Sequence, residues 1–202
     1  MRHLLRVRDI EGGILVEREG SLNAILIDNT VIFTNPSEVM ANYDNFHYEI
    51  AVKNKVVTDQ AYNKVLTNSR VHVVIRATLE NSKYLPHPII LYNGAGITIE
   101  GEFHVVDKAE IMEVFVPGRR GMGENFVRGD VKAVTRIYSR GKLIVYDVFK
   151  VKDDDYLNPN VMGNKCLVSF FQVEDSEHQV SRELIDHRGV FRRWSEITGL
   201  WF

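Results

Sequence analysis

Few residues in this chain of 202 could carry out covalent catalysis. Cys166 is the only cysteine, and it lies in the apolar run KCLVSFF, where a buried and unreactive side chain is the expected outcome. A reactive thiolate needs an exposed, electropositive setting, which this pattern does not indicate. No serine lies in a G-x-S-x-G nucleophile elbow. We therefore find no nucleophile with its base in the sequence.

Histidines and carboxylates could instead bind a metal ion, and the chain contains seven histidines. None of them stands at a zinc-site spacing from another histidine or from the cysteine. The acidic run at residues 153–155 lacks the glycine and glutamate of an EF-hand loop, so it is interpreted as a solvated loop. We predict no tightly bound metal or cofactor. The histidines are His3, His47, His72, His87, His104, His178 and His187.

A polar loop at residues 118–124, GRRGMGE, brings charged side chains together because its glycines permit sharp turns. The loop lacks the G-K-[ST] of a phosphate-binding loop. Arg119 and Glu124 either form a pair that fixes a tight loop or provide a polar corner at a protein interface. Gln60 and Lys64 would share one face of an extended strand, where an exposed strand edge is the simplest interpretation.

The overall composition excludes several classes of partner. The 25 Lys and Arg nearly balance the 27 Asp and Glu, and the formal net charge is -2, so the basic face that nucleic-acid binding requires is not indicated. No apolar run approaches the roughly 20 residues that span a bilayer, and no secretory segment is seen near Met1. We expect a cytoplasmic protein with neither nucleic acid nor membrane as its partner.

Alternation of apolar and polar residues predicts strands through most of the chain. The pattern is clearest at residues 46–52, 70–79, 131–138 and 142–151. The last two runs are joined by the three residues SRG, a connector typical of a β-hairpin. The sequence therefore predicts an all-β fold.

The periodicity changes near the C-terminus, where two short α-helices are predicted. Ser176 begins a capping-box spacing, and Val180, Leu184 and Ile185 would share one helical face. A second amphipathic segment follows Gly189. No linker or repeat divides the chain. We predict a single domain over residues 1–202, with the β body at about 1–173 and the helices at about 176–200.

Three segments, in the same order, resemble the urease accessory protein family UreD, also called UreH. Residues 84–95, YLPHPIILYNGA, resemble the family pattern W-L-P-x-P/E-x-I-x-F-x-G-A. Residues 113–124 resemble W-E-V-x-x-x-G-R-x-x-S-G-E through Glu113, Gly118, Arg119 and Glu124. Residues 56–66, VVTDQAYNKVL, resemble T-T-Q-A-A-T-K-V-Y.

The resemblance implies stacked, β-helix-like sheets and a chaperone that acts in urease maturation rather than an enzyme. Such a protein would bridge apo-urease to the accessory proteins UreF and UreG and help deliver nickel to the urease active site. A homodimer formed through UreF is also implied. Ni²⁺ would bind only transiently, with imidazole and carboxylate oxygen as suitable ligands.

The same resemblance suggests roles for individual residues. Asp44, Gln60, Lys64, His87, Arg119 and Glu124 are expected at an interface or a channel. Independently of the resemblance, the apolar C-terminal helices with Phe191, Trp194 and Trp201 either pack on the β body, which is favoured for most of these side chains, or are offered to a partner. His87 and Glu124 are the candidate ligands for transient nickel. His87 stands between two prolines where the family more often has Gln, so its imidazole either enters an interior channel or faces solvent. The solvent-facing position is favoured.

Two alternatives differ in function. One is a β-scaffold interaction module of the same fold without a metal role; residues 37–43, SEVMANY, favour it, because they replace a glycine-rich stretch of the family. The other is a β-solenoid carbohydrate-active enzyme, which would need two carboxylates about 5 to 10 Å apart in a cleft. No such pair is marked in the sequence.

Overall fold

The computed structural model describes residues 1–120 and 123–200, which form fifteen β-strands, one α-helix and a short 3₁₀ turn. The all-β prediction is confirmed. The elements are β1 (Arg2–Ile10), β2 (Gly13–Glu19), β3 (Asn23–Ile27), β4 (Thr30–Thr34), β5 (Val39–Met40), β6 (Asn45–Lys53), β7 (Val56–Asp59), β8 (Asn63–Val65), β9 (Arg70–Tyr84), β10 (Ile89–Leu91), β11 (Gly96–Pro117), β12 (Asp130–Ser139), β13 (Lys142–Val151), β14 (Cys166–Glu174), β15 (Glu177–Ile185) and α1 (Val190–Thr198).

Parallel strands form the middle of the main sheet. β1, β6, β9, β11 and β12 are neighbours in that order, and each adjacent pair is parallel. The hairpin strands β2 and β13 close the two sides in antiparallel pairing. Parallel neighbours need crossover connections, and here short strands and turns provide them where other folds use helices.

The long strands β9 and β11 continue beyond the main sheet and carry a second group of strands. The end of β9 pairs with β7, which pairs with β4. The second half of β11 pairs with β10 on one side and β14 on the other, after a register shift between Val106 and Ala109. The short strands β5, β8 and β10 form a parallel ladder. The main sheet and this second group of strands, the two layers of the fold, enclose one apolar core.

Alternation along the strands explains which side chains enter that core. In β6, Phe46, Tyr48, Ile50 and Val52 are buried, while the residues between them are half-buried on the opposite face. A smaller apolar cluster lies outside this core, where α1 packs on β11 and β14. The helix therefore covers the outer face of the strands that line the candidate site.

The prediction of two C-terminal helices is wrong, because the first predicted helix is strand β15. The residues Asp175 and Ser176 have positive φ angles and form a tight connection from β14 into β15, whose whole length pairs with β14. The β body consequently extends past residue 173 to Ile185. The second amphipathic segment does form a helix, α1, and Gly199 ends it in the left-handed conformation.

At nine residues, α1 is far too short for a membrane span, and no other described helix meets that requirement.

Candidate functional site

Two carboxyl groups reach one internal cavity of about 50 Å³ between the two layers. Asp59 ends β7, and Glu113 lies in the second half of β11. Most of the remaining wall is apolar, which makes the carboxyl groups conspicuous. The cavity is large enough for water or a bare ion. The polar residues that line it are Tyr48, Asp59, Asn63, Tyr84, His87 and Glu113.

Asp59 is held by two hydrogen bonds, yet its charge remains unfavourable. The backbone N–H of His87 donates to Oδ2 of Asp59 at 3.2 Å, and the Asn63 side chain also donates to the carboxylate. Burial raises the pKa of Asp59 to about 7, although the two hydrogen bonds act in the opposite direction. Protonation of the carboxyl group is therefore much more favourable at neutral pH than for an exposed aspartate.

Glu113 is in a similar state for a similar reason. Its Oε1 accepts a hydrogen bond from the Thr135 hydroxyl, whereas its Oε2 is buried without a partner among the described residues. Burial raises the pKa of Glu113 to about 7, and the nearby Asp147 carboxylate adds to the effect. Tyr84 experiences the fields of both Asp59 and Glu113, and burial raises its pKa well above the usual value. Tyr84 is thus a neutral hydroxyl beside two titrating carboxyl groups.

His87 forms part of the cavity wall, so the favoured solvent-facing position is wrong. Only 3% of the residue is exposed, and its ring lies 4.2 Å from Trp194 and 5.1 Å from Tyr62 between centroids. The Trp194 indole N–H donates to the Pro86 carbonyl at 2.9 Å, which fixes α1 over this segment. Burial lowers the pKa of His87 to about 4, so the imidazole is neutral at pH 7.

A second small recess is lined by both Asp59 and Gln60. The recess shares Tyr48, Asp59 and Asn63 with the cavity, and Gln60 and Glu38 line its other side. Gln60 is exposed at a bend after β7. This side of Asp59 is therefore the nearer to solvent.

The bend also separates Gln60 from Lys64, so the two do not share a strand face. Lys64 is in β8, is about one-fifth exposed and forms an ion pair with Glu38.

Asp44 and the polar loop lie away from the cavity. Asp44 accepts hydrogen bonds from the Ala41 amide at 2.8 Å and the Met1 ammonium at 3.0 Å. Burial opposes its ionisation, but those donors outweigh that effect and lower its pKa. Arg119 donates to the Tyr92 hydroxyl at 3.2 Å, and its link to Glu124 is a backbone hydrogen bond. The described residues show no side-chain ion pair between Arg119 and Glu124.

The predicted ligands His87 and Glu124 are in different environments, because Glu124 is exposed in the loop between β11 and β12. Among residues 1–120 and 123–200, no group of three or more His, Cys, Asp or Glu side chains could hold a metal ion.

Of the C-terminal aromatic residues, Trp194 is buried and Phe191 is half-buried. Trp201 lies outside the described residues.

The sequence patterns did not identify Asp59 and Glu113 as site residues. A signal was present, since each is a single charged residue that interrupts or ends an apolar strand segment, VVTD and IMEVFV. A charged group at such a position is costly unless it is paired or has a task. Asp59 and Glu113 line the same cavity as the neutral imidazole of His87.

Comparison with known proteins agrees with the resemblance. None of the curated proteins compared gives a significant match. The family model described as UreD urease accessory protein matches residues 28–198, which include every strand from β4 to β15 and all of α1. The chain therefore belongs to the UreD urease accessory protein family.

Proposed function

We propose that this protein is a cytoplasmic, non-enzymatic chaperone that bridges apo-urease to UreF and UreG and assists the delivery of Ni²⁺ to the urease active site. Family membership supports the accessory role. The observation that carries the metal role is the pair of carboxyl groups, Asp59 and Glu113, that line one cavity with His87. Nickel is cargo in this proposal and no tightly bound cofactor is needed. The homodimer formed through UreF belongs to the same proposal.

The chemistry of the three side chains suits a passing ion. A divalent cation stabilises the charged form of each carboxyl group, which burial otherwise disfavours. His87 is neutral at pH 7 and so retains a nitrogen lone pair for a metal. The hydroxyl groups of Tyr48 and Tyr84 stay protonated, because burial raises the pKa of each. Few fixed ligands favour short residence over storage.

A carbohydrate substrate does not fit this site. A cavity of about 50 Å³ is well below the roughly 300 Å³ at which small-molecule pockets begin. The two carboxyl groups are therefore interpreted as ion ligands and not as the acid and base of a glycosidase.

The test is urease activation in cells that carry Asp59→Asn together with Glu113→Gln. We expect less active urease with less bound nickel, while the variant still co-purifies with UreF and UreG. Glu19→Gln, an exposed change on β2, is the matched control. Normal nickel content with the double variant would refute the metal role and leave the scaffold function.

The predicted interface residues provide a separate test. Arg119→Ala and Glu124→Ala should leave the fold intact and lower urease activation, because both side chains lie outside the core. Normal nickel incorporation in cells carrying both changes would show that this loop is not needed.

A further inference from the structure

A basic cleft lies on the surface beside the start of α1. It consists of two surface cavities, of about 320 and 720 Å³, that share Arg120, His187 and Phe191 as lining residues. Its basic side chains are Lys64, Arg119, Arg120 and Arg188. The cleft is distinct from the internal cavity described above, since the two have no lining residue in common.

Most of the positive charge in the basic cleft has no acidic partner among residues 1–120 and 123–200. Within the described parts of the chain, Arg119, Arg120 and Arg188 form no ion pair. Arg119 donates to the Tyr92 hydroxyl at 3.2 Å and Arg120 to the Asn164 side chain, so both groups have neutral partners. The whole chain has a formal net charge of -2, so this positive charge is a local feature.

The acidic residues nearby do not balance these arginines. Lys64 is paired with Glu38, so that pair contributes little net charge. Asp186 is the one carboxylate among the described residues that line the cleft. Three guanidinium groups therefore face a single carboxylate. Such a surface repels a divalent cation, and it is therefore unsuited as an entrance for nickel.

Guanidinium groups suit carboxylates because their planar N–H donors can form two parallel hydrogen bonds. Clusters of arginine recognise acidic motifs in several kinds of peptide-binding protein. Because these arginines have no acidic partner among the described residues, they are available to an anionic occupant.

Two aromatic rings indicate that the occupant is more than a small anion. Tyr62 and Phe191 line the cleft, both are half-buried, and their ring centroids are 4.7 Å apart. Half-buried aromatic side chains next to arginine are typical of the energetic centre of a protein interface. The cavity volumes also suit several side chains of a peptide.

We propose that the basic cleft binds an acidic peptide segment of a partner protein. Its carboxylates contact Arg119, Arg120 and Arg188, and an apolar side chain packs on Tyr62 and Phe191. The inference does not depend on the nickel role of the internal cavity. It concerns a docking contact, whichever process the partner serves.

The experiment is fluorescence anisotropy with a short fluorescein-labelled peptide of alternating Glu and Leu. The matched probe has Gln in place of every Glu. The variant Arg120→Glu with Arg188→Glu reverses two cleft charges, and Arg18→Glu with Lys142→Glu makes the same charge change at exposed positions of β2 and β13. Thermal unfolding of every variant verifies that it is folded.

We expect the Glu peptide to bind, with weaker binding as NaCl is added, and the Gln peptide to bind much less tightly. Reversal of the two cleft arginines should weaken binding by about tenfold or more, because each change replaces an attraction by a repulsion. The control pair should change binding by less than about twofold.

Several results would overturn the proposal. These are no binding of the Glu peptide, equal binding of the Gln peptide, or equal loss of affinity in the control variant. Competition by inorganic phosphate at concentrations similar to the peptide would assign the cleft to a small anion. Preferential binding of a single-stranded oligonucleotide would assign it to nucleic acid. A urease assay on the cleft variant is independent of these outcomes and reports only on the accessory role.

Discussion

Replacing Glu113 by Gln should change how the stability of the metal-free protein depends on pH. The free energy of unfolding of the variant minus that of the wild type should be larger at about pH 8 than near pH 4.5. In the folded protein, burial raises the pKa of Glu113 from 4.5 to about 7. Below pH 4.5 the carboxyl group is protonated in both the folded and the unfolded chain. Between pH 4.5 and 7 only the unfolded chain releases the proton, so the free energy of unfolding of the wild type falls as pH rises.

The size of the effect follows from this shift. Each pKa unit corresponds to about 1.4 kcal/mol, so the wild type should lose about 3 kcal/mol between pH 4.5 and pH 8 through this one group. Gln carries no charge and avoids that loss. For a chain of 202 residues, about 3 kcal/mol corresponds to roughly 6 to 12 °C in melting temperature. Any cost of placing an amide at the buried Oε2 position is the same at every pH and cancels in the comparison.

The assay is thermal unfolding by circular dichroism across this pH range, with a chelator present. The quantity to plot is the melting temperature of the variant minus that of the wild type, and it should rise with pH and level off above pH 7. Glu19→Gln makes the same chemical change at an exposed position and should give a flat line. A flat line for Glu113→Gln as well would show that the carboxyl group is solvated, and the account of the cavity would fail.

Three further predictions concern packing and thiol chemistry. Trp194→Ala should cost about 3–5 kcal/mol in urea unfolding, because it empties a buried site and removes the hydrogen bond that holds α1; a cost below about 1 kcal/mol would contradict this role. Burial raises the pKa of Cys166 to about 12, so a thiol reagent should label the protein only as it unfolds, and rapid labelling of the native state would contradict the burial. Gly129→Ala should lower the free energy of unfolding by about 2 kcal/mol, because the added Cβ would lie 2.6 Å from the Ala95 carbonyl oxygen. The control Gly13→Ala, with open space around it, should be nearly neutral in the same urea experiment.

The sequence predicted most strands of this fold because each has one apolar face. The alternation at residues 46–52 and 131–138 corresponds to β6 and β12, and the SRG connector joins β12 to β13 as expected. The strand β15 was predicted as a helix because Ser176 begins a capping-box spacing and Val180, Leu184 and Ile185 recur at helical intervals. Most of its residues are exposed, so its apolar side chains do not alternate as in a strand with one buried face. Its pairing with β14 determines the conformation, and that pairing is tertiary information.

The candidate site was harder to predict, because its residues come from distant parts of the chain. Asp59, His87 and Glu113 meet only when β7 pairs with β9 and β11 pairs with both β9 and β10. The burial of His87 depends on Trp194, more than 100 positions away in the sequence. No local pattern reports a contact of that kind. The three-segment resemblance did place all three residues, Asp59, His87 and Glu113, in quoted segments, but it assigned a role only to His87.

The energetics of the internal cavity favour a functional interpretation of its carboxyl groups. Asp59 and Glu113 each make the fold less stable near neutral pH, and amide or apolar side chains of similar size would remove that cost. Polar groups that lower stability in this way are common at sites that bind or transfer charge. A divalent cation reverses the sign of the effect, because it stabilises both groups in their charged form. Glu113→Gln should therefore remove the loss of stability between pH 4.5 and pH 8 and impair urease activation at the same time, a combination that a purely structural role for Glu113 does not produce.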